Sequence, residues 1–243
     1  MATLVTHAMV LAAGKGTRMG DISNKTPKPL VEVAGISLLD RVLDHVVAAG
    51  IDVAVVNVHH LADQIEDHLL NRENGPNIII SDEREMLLET GGGVLSALEA
   101  LGDSPFVVIN SDALWVDGAS SFLKTLAATF DDEKMDCLLG LVATEKTIGF
   151  EGSGDFFMDE KSALKWRGAE AKAPWVFSGI QILSPRLFEG EMLGKWSLKR
   201  LYDKAEAEER LYGVPMDGEW MHVGTPEGVE EATKRLKQLA GDL

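Results

Sequence analysis

The run His7-Ala8-Met9-Val10-Leu11-Ala12-Ala13-Gly14-Lys15-Gly16-Thr17-Arg18-Met19, followed by Pro27-Lys28-Pro29-Leu30, decides how the rest of the chain is read. It begins as a short apolar strand over residues 7–12 and passes directly into a turn with two glycines. Small side chains there let backbone N–H groups approach a phosphate, and Lys15 and Arg18 bring positive charge to the same place. Lys28 stands between two prolines that stiffen the backbone, so its ammonium projects from a defined position. The turn fits neither of two common glycine motifs. A dinucleotide fingerprint requires glycine where Met19 stands, and no ribose-binding acid follows the second strand. A Walker loop requires Gly-Lys-Ser/Thr after four intervening residues.

Outward from this run, strand-like and helix-like segments alternate. Residues 37–49 carry apolar side chains at Leu38, Leu39, Val42, Val46 and Val47, a helical period that stops at Gly50. Residues 53–58 predict a strand, 61–70 a helix, 77–81 a strand, 93–101 a helix, 105–110 a buried strand, 120–130 a helix and 136–142 a strand. Alternation of this kind predicts an α/β fold, a Rossmann-like mixed, mostly parallel sheet flanked by helices. Ligands of such sheets bind in the loops beyond the carboxyl ends of the strands. After about residue 145 the pattern changes. Residues 156–158, 163–167 and 176–183 are strand-like without intervening helices, which predicts a small antiparallel insertion. A helix over 197–208, strands over 211–215 and 220–223, and a closing amphipathic helix over 226–239 complete the chain. Residues 1–243 are therefore expected to form a single domain, with a first part over 1–145, a second over 146–225 and a closing helix over 226–243.

Composition narrows the function. The 243 residues carry 23 basic and 39 acidic side chains, a net charge of −16. Such a surface repels nucleic acid and anionic lipid, so neither DNA, RNA nor a membrane is an expected partner. A small anionic substrate needs a local basic pocket, and the sequence has one. Between Ala13 and Leu30 lie Lys15, Arg18, Lys25 and Lys28 against the single acid Asp21. The apolar runs are strand-sized, far short of a membrane span, and no signal-peptide pattern is present. A single cysteine, Cys137, excludes an internal disulfide and reads as a buried small hydrophobe. These features predict a soluble cytoplasmic protein; a monomer or weak homodimer is expected, though no sequence feature fixes which. Trp166, Trp175 and Trp196 read as core or rim residues, and His59 and His60 as ordinary loop polarity.

Further motifs carry a resemblance. Leu88-Glu89-Thr90-Gly91-Gly92-Gly93, Asn110-Ser111-Asp112 after a buried strand, Phe177-Ser178-Gly179-Ile180 and Trp220-Met221-His222-Val223-Gly224-Thr225 follow the opening run in order. Together they resemble the sugar-phosphate nucleotidyltransferases, whose signature is roughly L-A-A-G-x-G-x-R-M, then P-K-P-L, a metal-binding aspartate and W-x-D-V-G-T. The similarity covers essentially the whole chain. The form without a β-helical extension looks most like the N-acetylmuramate 1-phosphate uridylyltransferases of peptidoglycan recycling, then like mannose 1-phosphate guanylyltransferases. It implies a GT-A-like fold, with 1–145 as the nucleotide-binding part and 146–225 as the sugar-binding part, and a reaction of nucleoside triphosphate with sugar 1-phosphate, giving nucleotide-sugar and pyrophosphate.

By that resemblance, Leu11, Ala12, Ala13, Gly14, Lys15, Gly16, Thr17, Arg18, Glu89, Thr90, Gly91, Gly92 and Asp112 bind the nucleotide. Arg18, Lys28 and Asp112 carry the catalysis, and Asn110, Gly154, Asp155, Ser178 and Gly179 bind the sugar. Three successive glycines weaken a helix start by roughly 1 kcal/mol each relative to alanine, and close approach of a flat base accounts for them. A plain helix start capped by Thr90 is the alternative. Asp112 is expected to hold Mg²⁺, with Mn²⁺ or another divalent ion as substitute, because a hard cation suits carboxylate oxygens. The family's second metal aspartate falls at His222, the second candidate ligand. Imidazole suits transition metals better than Mg²⁺, which also admits a nucleotide-sugar binding protein without turnover.

Overall fold

The computed structural model describes residues 5–241. The chain opens with β1 (His7–Leu11), the short hairpin β2 (Glu32–Val33) and β3 (Ile36–Ser37), and helix α1 (Leu38–Ala49). Next come β4 (Val53–Val58), α2 (Ala62–Leu70), β5 (Asn77–Asp82), α3 (Glu89–Leu101), β6 (Phe106–Asn110), β7 (Ala113–Asp117) and α4 (Phe122–Thr129). The second half holds β8 (Cys137–Ala143), β9 (Phe156–Met158), β10 (Leu164–Trp166), β11 (Trp175–Leu183), α5 (Lys199–Ala207), β12 (Leu211–Pro215), β13 (Gly218–His222) and α6 (Pro226–Gly241).

β1 lies at the centre of the main sheet, parallel to β4 on one side and β6 on the other, with β5 parallel beyond β4. Its side chains alternate faces, as a strand's must. Ala8 and Val10 pack under α1, α2 and α4, while Met9 packs under α3 and α5, and all three are fully buried. Covering both faces explains why β1, β4 and β6 read as continuous apolar runs. Helix α1 begins where the Ser37 hydroxyl accepts from the Asp40 N–H at 3.0 Å and ends at Gly50, whose φ of 80° suits glycine.

The expected antiparallel insertion is present: β9 and β10 form a hairpin whose Phe156 meets Trp175 of β11. β11 runs antiparallel to both β6 and β8, and β12 lies parallel to β8. The sheet therefore continues across residue 145, where the sequence pattern suggested a division. Two further elements differ from expectation. α3 starts at Glu89 rather than at residue 93, so its glycines lie within the first helical turn. β7, unanticipated, forms a ladder with β13 in which Trp115 opposes Trp220 and Ala113 opposes His222. A separate apolar cluster of Met19, Val31, Val33, Leu38, Leu114, Met221, Val223 and Ala232 seats α6 beneath the glycine turn. Met19 is almost fully buried there. A bulky apolar side chain therefore anchors the turn at the position where a dinucleotide fold has glycine.

Candidate active site

The carboxyl ends of β1, β4 and β6 meet at one pocket of about 460 Å³. The turn after β1 forms one wall through Ala12, Ala13, Gly14, Gly16, Thr17 and Arg18, with Leu11 at its base. Leu87, Glu89 and Thr90 form the opposite wall, and Asn110, Ser111, Asp112, Lys28 and Asn57 close the floor and one end. Lys15 is exposed and lies outside this lining.

Gly16 adopts φ of 62°, a left-handed turn in which its carbonyl accepts from the Met19 N–H at 2.8 Å. That turn brings the chain over Lys28, which is itself buried. The Lys28 ammonium forms an ion pair with Asp112 Oδ2, joining the Pro27–Pro29 segment to the loop after β6. The Asp112 side chain is about one third exposed, toward the pocket. His222 comes from the β7–β13 ladder, and its Nε2 lies 3.5 Å from Arg18 Nη1. Burial holds the His222 pKa below its usual value. Asp112 pulls it upward, and Lys28 and Arg18 push it further down, so the imidazole is neutral at neutral pH. The four positions expected to manage phosphate and metal, Arg18, Lys28, Asp112 and His222, are thus brought together.

The glycine-rich helix start is built differently from expectation. Glu89 lines the pocket with φ of 61°, an uncommon conformation for a non-glycine residue, and its carboxylate lies 3.7 Å from Lys195 Nζ. Thr90 Oγ1 accepts from the Leu198 N–H at 2.9 Å rather than capping its own helix. The N–H groups of Gly91 and Gly92 both donate to the Trp196 carbonyl, at 2.9 and 3.2 Å. A Cβ on Gly91 would overlap the Trp196 ring, and one on Gly92 the Gly194 carbonyl. The protein's own 194–196 segment, not a base, fills the space those glycines leave. Trp196, read as a core or rim residue, is the reason for Gly91.

On the sugar side, Asn110 lines the pocket, and Gly179 packs against it: with φ of 82°, its Cβ would sit 2.9 Å from Asn110 Nδ2. Ser178 is buried, its carbonyl accepting from Trp220 Nε1 at 2.9 Å. Gly154 and Asp155 are not brought to the pocket lining. Gly154 is packed against the Ala173 carbonyl, and Asp155 Oδ2 accepts from the Phe177 N–H at 2.9 Å. Asp155 braces β11 at Phe177, where its register begins to shift, and Gly154 packs on the segment leading into that strand. This explains their residue types without a ligand.

Two residues of the site were missed in the sequence. Asn57, near the end of β4, accepts from the Ala12 N–H at 2.7 Å and the Ala13 N–H at 3.3 Å. Glu83, buried just beyond β5, accepts from Asn57 Nδ2 at 2.6 Å and from the Leu88 N–H at 2.9 Å. An asparagine inside the apolar strand Val-Ala-Val-Val-Asn-Val was the available signal. His59 and His60 also exceed loop polarity, since one binds the Glu83 carbonyl and the other the Ser23 carbonyl, each at 2.7 Å.

Comparison with known proteins agrees with this geometry. The N-acetylmuramate alpha-1-phosphate uridylyltransferase of Caulobacter vibrioides is 44% identical over 234 residues, covering 95% of this chain and 97% of that protein. The enzyme of the same name from Neisseria meningitidis serogroup B is 35% identical over 230 residues, covering 93% and 96%. A crystal structure of UDP-glucose pyrophosphorylase complexed with UDP-glucose superposes with a TM-score of 0.79 at 18% identity, covering 97% of this chain and 99% of that one. The model of the MobA-like NTP transferase domain matches residues 8–147, which include β4, β6, nearly all of β1 and most of the loops that line the pocket, and the chain belongs to that family.

Proposed function

We propose that this chain transfers the uridylyl group of UTP to N-acetylmuramate 1-phosphate, or a closely similar sugar phosphate, forming the UDP-sugar and releasing pyrophosphate. One observation carries the chemistry: Arg18, Lys28 and Asp112 converge at one end of a pocket whose walls are a glycine turn and a helix start. The 44% identity along nearly the full length of both chains supports the choice of base and sugar.

A sugar 1-phosphate is already an anion at neutral pH, since a phosphate monoester loses its second proton near pH 6. Its oxygen attacks the α-phosphorus directly. A new P–O bond forms, the bond from the α-phosphorus to the α,β-bridging oxygen breaks, and pyrophosphate leaves with that electron pair. No general base is required. The difficulty is the meeting of two polyanions, and Arg18, Lys28 and the amides of residues 14–17 act by neutralising their charge. Asn110 and the backbone around Gly179 are assigned to the sugar.

The donor set fits a divalent ion, Mg²⁺ or Mn²⁺. Asp112 turns a carboxylate oxygen toward the pocket, and one or two carboxylates completed by phosphate oxygens is the usual Mg²⁺ arrangement. No group of three acidic, histidine or cysteine ligands occurs among the described residues. Held by Asp112, the ion would supply positive charge to the phosphate oxygens, and His222 would be a weak second ligand. The pocket is lined by residues of one chain, which supports action as a monomer or weak dimer, and the reading places the enzyme in the cytoplasm.

The test is pyrophosphate release across UTP, GTP, CTP and dTTP, each with N-acetylmuramate, N-acetylglucosamine, glucose and mannose 1-phosphates. UTP with N-acetylmuramate 1-phosphate should be the best pair. A best pair of GTP and mannose 1-phosphate would replace the specificity, and binding of UTP without turnover for any pair would leave only a nucleotide-binding protein.

A further inference from the structure

We infer that Glu83, which lies outside the pocket lining, is a positioning residue that fixes the separation of the two nucleotide-binding walls through Asn57. The inference rests on the uridylyltransferase reading for what the pocket holds, but not for the coupling itself.

The Glu83 carboxylate is buried and forms no ion pair among the described residues. Placing an unpaired carboxylate in the interior is costly, so the site must require what only a carboxylate offers. It offers acceptors in two directions. One oxygen takes the Asn57 Nδ2 proton and the other the Leu88 N–H. Asn57 in turn spends its oxygen on the amides of Ala12 and Ala13. The asparagine cannot flip, because its amino group would then face two N–H donors and its oxygen a carboxylate. Donation therefore converges on Glu83 across the pocket floor, from Ala12 and Ala13 through Asn57 on one wall and from Leu88 on the other. The backbone of Glu83 is held as well. Its carbonyl accepts from His59 Nδ1 at 2.7 Å, which requires the proton on that nitrogen. Gly93 makes room for the pair, since a Cβ there would lie 2.7 Å from Glu83 Oε1 and 2.8 Å from Asn57 Nδ2.

Chemical accounting gives a sharp test. In Glu83→Gln the side chain has one acceptor and one amino group, so either Asn57 Nδ2 or the Leu88 N–H faces a donor. In Asn57→Asp two carboxylates are set against each other. In the double variant every bond returns. The introduced aspartate accepts from Ala12, from Ala13 and from the amino group of the introduced glutamine, whose oxygen accepts from the Leu88 N–H.

The experiment compares the wild type, Glu83→Gln, Asn57→Asp and the double variant by amide hydrogen exchange without ligand, UTP binding and steady-state kinetics. Glu83→Gln should speed exchange over residues 11–14 and 87–90 and weaken UTP roughly tenfold, the order expected for one unpaired buried group. KM for the sugar phosphate should stay within about twofold, as the network lies on the nucleotide side. Asn57→Asp should be worse, or fail to fold, and the double variant should recover both exchange protection and UTP affinity. Unchanged exchange and affinity in Glu83→Gln, or a double variant no better than its worse parent, would overturn the inference. Coupled exchange in a protein that binds no triphosphate would sink the uridylyltransferase reading and leave the coupling standing.

Discussion

The ion pair between Lys28 and Asp112 gives two side chains of opposite sign one joint task. Each neutralises the other while the pocket holds no phosphate. In the proposed reaction, incoming phosphates would attract the ammonium, and the carboxylate would then hold the divalent ion. Removing either charge should therefore disable charge stabilisation in the transition state. Lys28→Ala and Asp112→Asn are each expected to lower turnover by roughly a hundredfold, as loss of one preorganised donor or metal ligand does. His222 is neutral and faces Arg18. His222→Ala should therefore stay within about tenfold of wild type, while His222→Asp should raise apparent Mg²⁺ affinity by adding a hard anionic ligand. Pyrophosphate release titrated against Mg²⁺ in these variants decides the matter. A His222→Ala protein as inactive as Asp112→Asn would give the imidazole a direct role. At this scale the sequence was legible wherever the grouping of side chains around the pocket is local. Gly14, Gly16, Arg18 and Lys28 announce themselves by spacing and charge within one window. Asn57 and Glu83 do not, because their partners at 12, 13 and 88 are adjacent only after folding.

Elements show where pattern reading succeeds and where it misassigns a cause. The periodicities of β1, α1 and β4 report burial directly, and those elements form where expected. The glycines at 91–93 were equally visible, but the space beside Gly91 and Gly92 belongs to Trp196 and Gly194, which lie about a hundred residues away. Gly92→Val should therefore disturb folding before it disturbs binding. Its side chain would meet a backbone carbonyl that cannot rotate away, and overpacking of this kind costs about 1–3 kcal/mol. A lower urea midpoint is the expected reading. An unchanged midpoint with lost UTP affinity would return the glycines to the base. The β7–β13 ladder carries a second test. Asp117 lies at the end of β7, where burial opposes its ionisation. Hydrogen bonds from His45, the Phe122 N–H and Trp115 Nε1, with the charge of His45, outweigh that and lower its pKa below 3.8. A carboxylate with a depressed folded pKa contributes stability above its unfolded pKa and loses it as pH falls through the folded value. Asp117→Asn should accordingly cost about 1–2 kcal/mol at pH 7, in the range for hydrogen bonds to a charged group. The difference should shrink below pH 4. An equal deficit at pH 7 and pH 3 would show that packing, not charge, sets the effect.

For the molecule as a whole, the candidate active site is made by joining the two ends of the sequence. The glycine turn comes from the first twenty residues and His222 from the last thirty. They are held together by the apolar cluster of Met19, Leu114, Met221 and Val223 with Ala232 of α6. This arrangement was only half legible. Strand–helix alternation revealed the parallel half because each crossover is local, and the closing helix was clear from its amphipathic period. Its seat under the phosphate turn was not, since nothing in residues 226–241 names Met19 as a neighbour. The seat has a testable consequence. Ala232 is almost fully buried, and Ala232→Asp would put a carboxylate into a cluster that is otherwise apolar. Such a group costs several kcal/mol unless it is neutralised or the helix lifts away. Because the main sheet is packed by two other clusters, lifting α6 should leave its core folded. Circular dichroism should thus retain most of the native signal, while UTP affinity falls by tenfold or more as the turn bearing Arg18 loses its support. Exchange should quicken over residues 16–20 and 226–241 together, and remain slow in β1, β4 and β6. Native UTP affinity in a variant whose α6 exchanges freely would mean that the phosphate turn stands without the helix, with Lys28 and Asp112 sufficient to hold it.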